Sequence, residues 1–190
     1  MRPLLGYLAA TVLLLAGCGD DGGDEAGGSG DATFESPTEP LGDADEGIEG
    51  VQAYRVHYPA GQGPPHRDGD IEYGLQPPVG GLHDEVSLEC GFYDEPVRDE
   101  NVLHSLEHGA VWLAYPPDLA EDDVEVIREL ARDNDEVLAA PYEGLEPGVA
   151  VVASAWARQL TLDSVDDPRL AEFVAAYQNG DQHPEPGVPC

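Results

Sequence analysis

The chain has 190 residues, about the length of one domain, and carries 39 acidic and 8 basic residues for a formal net charge of −31. Every basic residue is arginine, and the only methionine is Met1. Such a chain lacks the basic surface that binds nucleic-acid phosphates or anionic lipids, although its 41% hydrophobic content excludes a wholly disordered protein.

The N-terminus has the pattern of a lipoprotein signal peptide. Arg2 precedes an apolar stretch of 13 residues, 4–16, whereas a spanning helix needs about 20. Small residues then lead directly to Cys18. We therefore expect residues 1–17 to be removed and Cys18 to be acylated, so that the lipid bilayer is a partner and the protein is anchored on the extracytoplasmic face of the cell membrane. The alternative is an uncleaved anchor helix with an incidental cysteine.

Residues 18–50 predict an acidic, Gly-rich, disordered tether. Eleven carboxylates lie between Asp20 and Glu49, and few side chains there can pack. The folded domain is expected over residues 51–190, where 28 acidic residues and 7 arginines still give −21. Adaptation to high salt explains this charge, and so does a surface that attracts cations or a partner; the sequence leaves both open.

Alternation and helical spacing then predict the elements of this domain in chain order. A strand is expected at 51–58, and Pro and Gly predict loops at 61–69 and 76–81. A short helix over 99–108 should end at Gly109, and the strand that follows, 110–115, places Trp112 on the face opposite Leu113.

The second half of the domain predicts two longer helices. Asp118 and Glu121 resemble a capping box before an amphipathic helix at 120–134, and Asp167-Pro168 begins the last helix. Strands are expected at 136–140, 148–156 and 158–162. The result is a small single α+β domain with a mixed sheet and about two to three helices.

Cys90 and Cys190 remain once Cys18 is assigned to lipid. In an oxidising compartment we expect them to form a disulfide that pins the C-terminal tail. The loop of about 100 residues that it closes corresponds to about 4–5 kcal/mol in the chain-entropy model. The alternative is two free thiols that bind metal, although no CxxC spacing occurs.

Six histidines stand out in a chain poor in cations. On a helix, His104 and His108 would share one face and could bind one ion. With Glu107 they give the HxxEH form of some metalloproteases, in which the glutamate is the general base. The predicted helix is short and no separate substrate lobe is evident, so we assign no catalytic residue and keep Glu107 as the one candidate.

A non-catalytic metal site is the stronger interpretation of these histidines. His83 and His66 each follow a Pro-rich loop that could project a ring, and neutral imidazoles suit zinc or Cu(II). The predicted metal ligands are His83, His104 and His108, with His66 or Glu107 as the fourth. The alternative is structural: these rings bind backbone or carboxylate groups and hold the loops down.

Several stretches together resemble the "domain of unknown function 3105" family of bacteria and archaea. They are residues 66–73, 77–83 (PPVGGLH), 90–93 (CGFY), 104–111 (HSLEHGAV), 141–142 (PY), 155–156 (AW), and 184–186 (PEP) followed by Cys190. Two positions depart from the pattern: Ala157, where glycine often follows the tryptophan, and residues 87–89, where an aromatic residue is common. The resemblance implies an exported or membrane-tethered protein and no established activity.

These observations lead to one main hypothesis and two alternatives. The main one is a tethered lipoprotein that binds a divalent metal ion as an accessory module of the cell envelope and is not an enzyme. The second is an interaction module for another envelope protein, which exposed apolar surface around Tyr93, Trp112 or Trp156 would favour. The third is hydrolysis through Glu107 and a bound metal, which needs an open coordination position.

Overall fold

Two sheets and three helices make up the described part of the chain, a computed structural model in which residues 34–36, 38–44, 47–57 and 66–185 are described. The elements in chain order are β1 (Phe34–Ser36), β2 (Thr38–Asp43), β3 (Gln52–Val56), β4 (Ile71–Tyr73), β5 (Gly91–Phe92), α1 (Asp99–Glu107), β6 (Val111–Tyr115), α2 (Glu121–Asp133), β7 (Val137–Pro141), β8 (Val151–Ala155), β9 (Arg158–Leu162) and α3 (Pro168–Tyr177). The predicted signal peptide, Cys18 and Cys190 lie outside the described residues.

The larger sheet is mixed and has seven strands in the order β2-β3-β9-β8-β6-β7-β5. Strands β5, β7 and β6 are parallel, and every other neighbouring pair is antiparallel. Strands β1 and β4 form a separate parallel pair. With the three helices, this confirms the predicted α+β class.

Helices cover both faces of the large sheet. Strand β6 alternates as predicted, because Leu113 packs in the core with α2 and α3 whereas Trp112 packs with α1. All residues of β6, β7 and β8 are buried, as expected for strands covered on both sides. Of the three described helices, α1 therefore covers the Trp112 face of the sheet, and α2 and α3 cover the opposite face. The loops that carry His66 and His83 lie on the same face as α1.

The folded region extends further toward the N-terminus than composition indicated. Strand β2 pairs with β3 through Thr38 and Val56, and Ser36 is buried. The boundary expected at residue 51 is therefore too late. Amino-acid composition does not reveal short, polar strands, because strand pairing satisfies their backbone groups without apolar side chains.

The two helix starts predicted from side-chain caps have different outcomes. The Asp167 side chain accepts a hydrogen bond from the Arg169 amide at 2.9 Å, so the predicted cap of α3 is confirmed. Helix α2 begins after Ala120, which makes no side-chain cap bond, so the capping box predicted at Asp118 is wrong.

The C-terminal disulfide stays a prediction. Cys90 lies next to β5 and packs against the core on the α1 side, while its expected partner Cys190 is outside the described residues. Within the described part of the chain, no helix has the length and apolar character required to cross a membrane.

Ala157 sits in the turn between β8 and β9 with a φ of 60°, in the left-handed region. It is the position where the family pattern often has glycine. A side chain in this conformation costs on the order of 1–2 kcal/mol. We therefore expect Ala157→Gly to raise the free energy of unfolding by about 0.5–1 kcal/mol, measured by urea denaturation. Ala155→Gly, within buried β8, should lower the free energy of unfolding. If both variants lower it, Ala157 is not strained.

Asp99 begins α1 half-buried and accepts a hydrogen bond from the Tyr142 hydroxyl at 3.1 Å. Burial raises the Asp99 pKa to about 6; Tyr142 acts in the opposite direction and Glu100 adds to the rise. Because the folded pKa lies above the unfolded one, stability from this group is lost as pH rises from about 4 to about 6.

We expect Asp99→Asn, which keeps an oxygen for Tyr142, to stabilise the protein at pH 7–8. The gain should shrink toward zero at about pH 4, where the parent carboxyl is also neutral. Thermal denaturation across this pH range tests it. Asp122→Asn, an exposed carboxylate of α2, serves as the control, and a gain at Asp99 that does not vary with pH would argue against the burial explanation.

Candidate metal centre

Three imidazoles and one carboxylate meet on the α1 side of the sheet. One ligand atom from each of His66, His83, His104 and Glu107 lies within 4.8 Å of all the others. The ring centroids of the three histidines are 4.9, 4.9 and 5.1 Å apart. Ligands that share an ion at about 2.0–2.1 Å are at most about 4 Å apart, so small side-chain movements suffice to close this group around one ion.

Helix α1 supplies two of the four groups. His104 and Glu107 are three residues apart and therefore share one side of the helix. The His104 Nδ1 lies 2.9 Å from the carbonyl oxygen of Asp84. A carbonyl only accepts, so Nδ1 carries the hydrogen, and the lone pair of the neutral ring is on Nε2.

His83 is held in the same way by its own loop. Its Nδ1 donates to the carbonyl oxygen of Gly81 at 2.9 Å, which again leaves the lone pair on Nε2. The ring is fully buried and packs edge-on against Trp156 at 6.0 Å. Its Nε2 lies 3.0 Å from Glu107 Oε2.

His66 completes the group from a neighbouring segment. It forms an isolated parallel bridge with His83, and the Arg67 amide donates to the His83 carbonyl oxygen at 2.7 Å. Its Nε2 is 4.0 Å from Glu107 Oε2. The Nε2 atoms of His66 and His83 are buried and have no hydrogen-bond partner among the described residues.

The pKa shifts of His104 and Glu107 favour the ionisation states in which these side chains bind a metal ion. Burial lowers the pKa of His104, and the nearby His108 and His83 lower it further, so the ring is neutral at neutral pH. Burial raises the pKa of Glu107, but the neighbouring imidazoles, His83 first, outweigh this and the net pKa is lowered. A neutral imidazole and an ionised carboxylate are competent ligands.

His108 lies outside this group of four, although the sequence predicted it as a ligand. Its ring contacts that of His104 at a centroid distance of 4.5 Å, but its Nε2 faces Glu185 at 3.7 Å. Glu107 lies in the group instead. Glu107 and His108 lie three and four residues after His104, and both spacings place a side chain on the same side of the helix. The positions of His83 and His66 therefore decide which of the two joins the group.

A family model described as a protein of unknown function, DUF3105, matches residues 66–190, two thirds of the chain. The chain belongs to the DUF3105 family. All four residues of the centre fall within the DUF3105 region, and β1, β2 and β3 precede it. No curated protein and no solved structure matches the chain. The family description assigns no activity to the DUF3105 domain, so its function has to be argued from the centre itself.

Gly81 provides the carbonyl that orients His83, and its φ of 122° lies in the region that favours glycine. A Cβ there would collide with Ser36 Oγ, whereas one at Gly144, φ 83°, would meet nothing. We expect Gly81→Ala to lower the free energy of unfolding by about 1–3 kcal/mol more than Gly144→Ala, because only the former crowds a packed loop. Urea denaturation of both variants measures this, and equal losses would show that Ser36 does not restrict the loop.

Proposed function

We propose that the protein is a metal-binding module of the cell envelope that holds one divalent transition-metal ion, zinc or copper. His66, His83, His104 and Glu107 are the ligands. A lipid on Cys18 and the acidic residues that follow it tether the module to the membrane. The signal-peptide pattern of residues 1–18 supports this location.

The contact between His83 and Glu107 carries the proposal. Because Nδ1 of His83 donates to Gly81, its Nε2 faces the carboxylate at 3.0 Å as a second acceptor unless a cation lies between them. Both side chains are nearly inaccessible to solvent. Two buried acceptors at this distance need a positive charge between them. The buried Nε2 of His66, which also has no hydrogen-bond partner among the described residues, favours a metal ion over a proton.

Binding suits this centre better than hydrolysis. Catalytic zinc sites usually have three protein ligands and keep the fourth position for water, whereas this centre offers four. Glu107 lies among the ligands and is therefore not placed as a separate general base. Imidazole and carboxylate ligands suit zinc or Cu(II), and the absence of sulfur from the group disfavours Cu(I).

The interaction module has less support. Of the three aromatic residues whose exposure would have favoured it, Trp112 and Trp156 are buried and Tyr93 is half-buried against the core. The acidic surface, in contrast, raises the local concentration of cations and so favours capture of a metal ion.

Single histidine variants test the proposed ligand set. The protein is exported to an oxidising compartment, purified without a histidine tag and loaded with zinc or Cu(II). We expect about one equivalent in the parent, a loss of at least about tenfold in affinity for His104→Ala, and near-parental affinity for His108→Ala. Elemental analysis and competition with a chelating dye measure this. A chelator should also lower the Tm of the loaded parent, because the ion binds only the folded chain.

His57→Ala is the matched control, since His57 is exposed and pairs with Glu39 outside the centre. If the parent binds neither zinc nor Cu(II) when the ion is supplied in excess, the proposed function is overturned. Equal losses for His104→Ala and His108→Ala would instead overturn the choice of ligands.

A further inference from the structure

We infer that the ion at this centre is open to an external imidazole on the side of His66, so that His66 is an exchangeable ligand whose place on the bound ion an external imidazole can take. This inference rests on the proposed metal function. It adds the chemical class of the exchange partner, a neutral nitrogen donor, and the side from which it approaches.

The four groups differ sharply in exposure. The His83 side chain is 0% exposed and that of Glu107 5%, and His104 is also buried, whereas the His66 side chain is 38% exposed. The Nε2 atom of His66 is nevertheless buried. One edge of this ring therefore faces solvent while the other faces the centre, and among the described residues the ring lies between the two.

The opposite side of the centre is closed by apolar packing. Trp156 lies edge-on against His83. A Cβ at Gly80 would lie within 3.3 Å of the Trp156 ring and 2.8 Å of a Val56 methyl group, so this wall has no room for an incoming group. Helix α1 covers the remaining side with His104 and Glu107. Among the described residues, the side of His66 is therefore the one from which an external ligand can approach the ion.

The exchange is balanced without any co-reactant. The bond from the ion to His66 Nε2 breaks as a bond to the external imidazole nitrogen forms, and both donors are neutral, so no proton or electron is transferred. The net charge of −31 disfavours anionic donors near this surface. Free histidine and a histidine side chain of another protein share this chemistry.

Rescue by imidazole distinguishes an open ligand position from a closed one. His66→Gly and His83→Gly each remove one ring, and zinc affinity is measured with and without millimolar imidazole by competition with a chelating dye. We expect both variants to bind at least about tenfold more weakly than the parent. Imidazole should restore His66→Gly to within a few fold of the parent, and should leave His83→Gly weak because its cavity is enclosed. The parent with imidazole corrects for binding of free zinc, and circular dichroism establishes that the variants are folded.

A second measurement needs no variant. Imidazole is titrated into the Cu(II)-loaded parent, and we expect the electron paramagnetic resonance spectrum to change while the copper stays bound to protein. Repeating the rescue with free histidine and with a short histidine-containing peptide identifies the source: rescue by the peptide supports exchange with a protein, and rescue by free histidine alone supports a small-molecule donor.

The outcomes separate this inference from the proposed function. A parent without metal overturns the function itself. A parent that binds metal, with His66→Gly not rescued or His83→Gly rescued equally, overturns only the open side at His66. A copper spectrum that does not change at saturating imidazole also overturns the open side at His66 and leaves the proposed function standing.

Discussion

The approach of the His83 imidazole to the Glu107 carboxylate is the contact around which this structure is arranged. The two groups come from different segments, and backbone carbonyls fix which nitrogen of His83 and of His104 bears a hydrogen. In a buried setting such an arrangement is unfavourable unless a cation compensates it. Under the proposed function, metal binding and folding would be linked, because the bound ion would also join helix α1 to two loops.

A second polar network fixes these loops at the start of α1. Arg98 Nη1 lies 3.3 Å from Asp84 Oδ2, and Arg98 Nε lies 3.4 Å from Glu100 Oε2. Glu100 Oε1 accepts a hydrogen bond from the Ile71 amide at 2.9 Å. Asp84 is the residue whose carbonyl orients His104. The proposed ligands are thus positioned by contacts that lie outside the centre itself, and such contacts commonly hold a metal ligand in one orientation.

The parts of this fold that could be predicted are those in which the side-chain pattern mirrors burial. Helix α3 and strand β6 followed directly from spacing, because their apolar faces pack in the core. Strands β1, β4 and β5 have only two or three residues each, and their pairing is a backbone property that leaves no pattern. Residue types identified the histidines as candidates. Whether Glu107 or His108 joins the group depends on where the loop of His83 lies beside α1, and the sequence does not contain that information.

The short strand β1 gives the N-terminal segment a direct mechanical connection to the centre. Ser36 Oγ accepts a hydrogen bond from the Leu82 amide at 3.0 Å, one residue before His83. Tension applied to the chain before residue 34 would therefore reach the His83 loop through a three-residue strand and this hydroxyl. With the membrane anchor and the bound ion of the proposed function, the affinity for the ion would then depend on tension in the chain as well as on the composition of the surrounding solution.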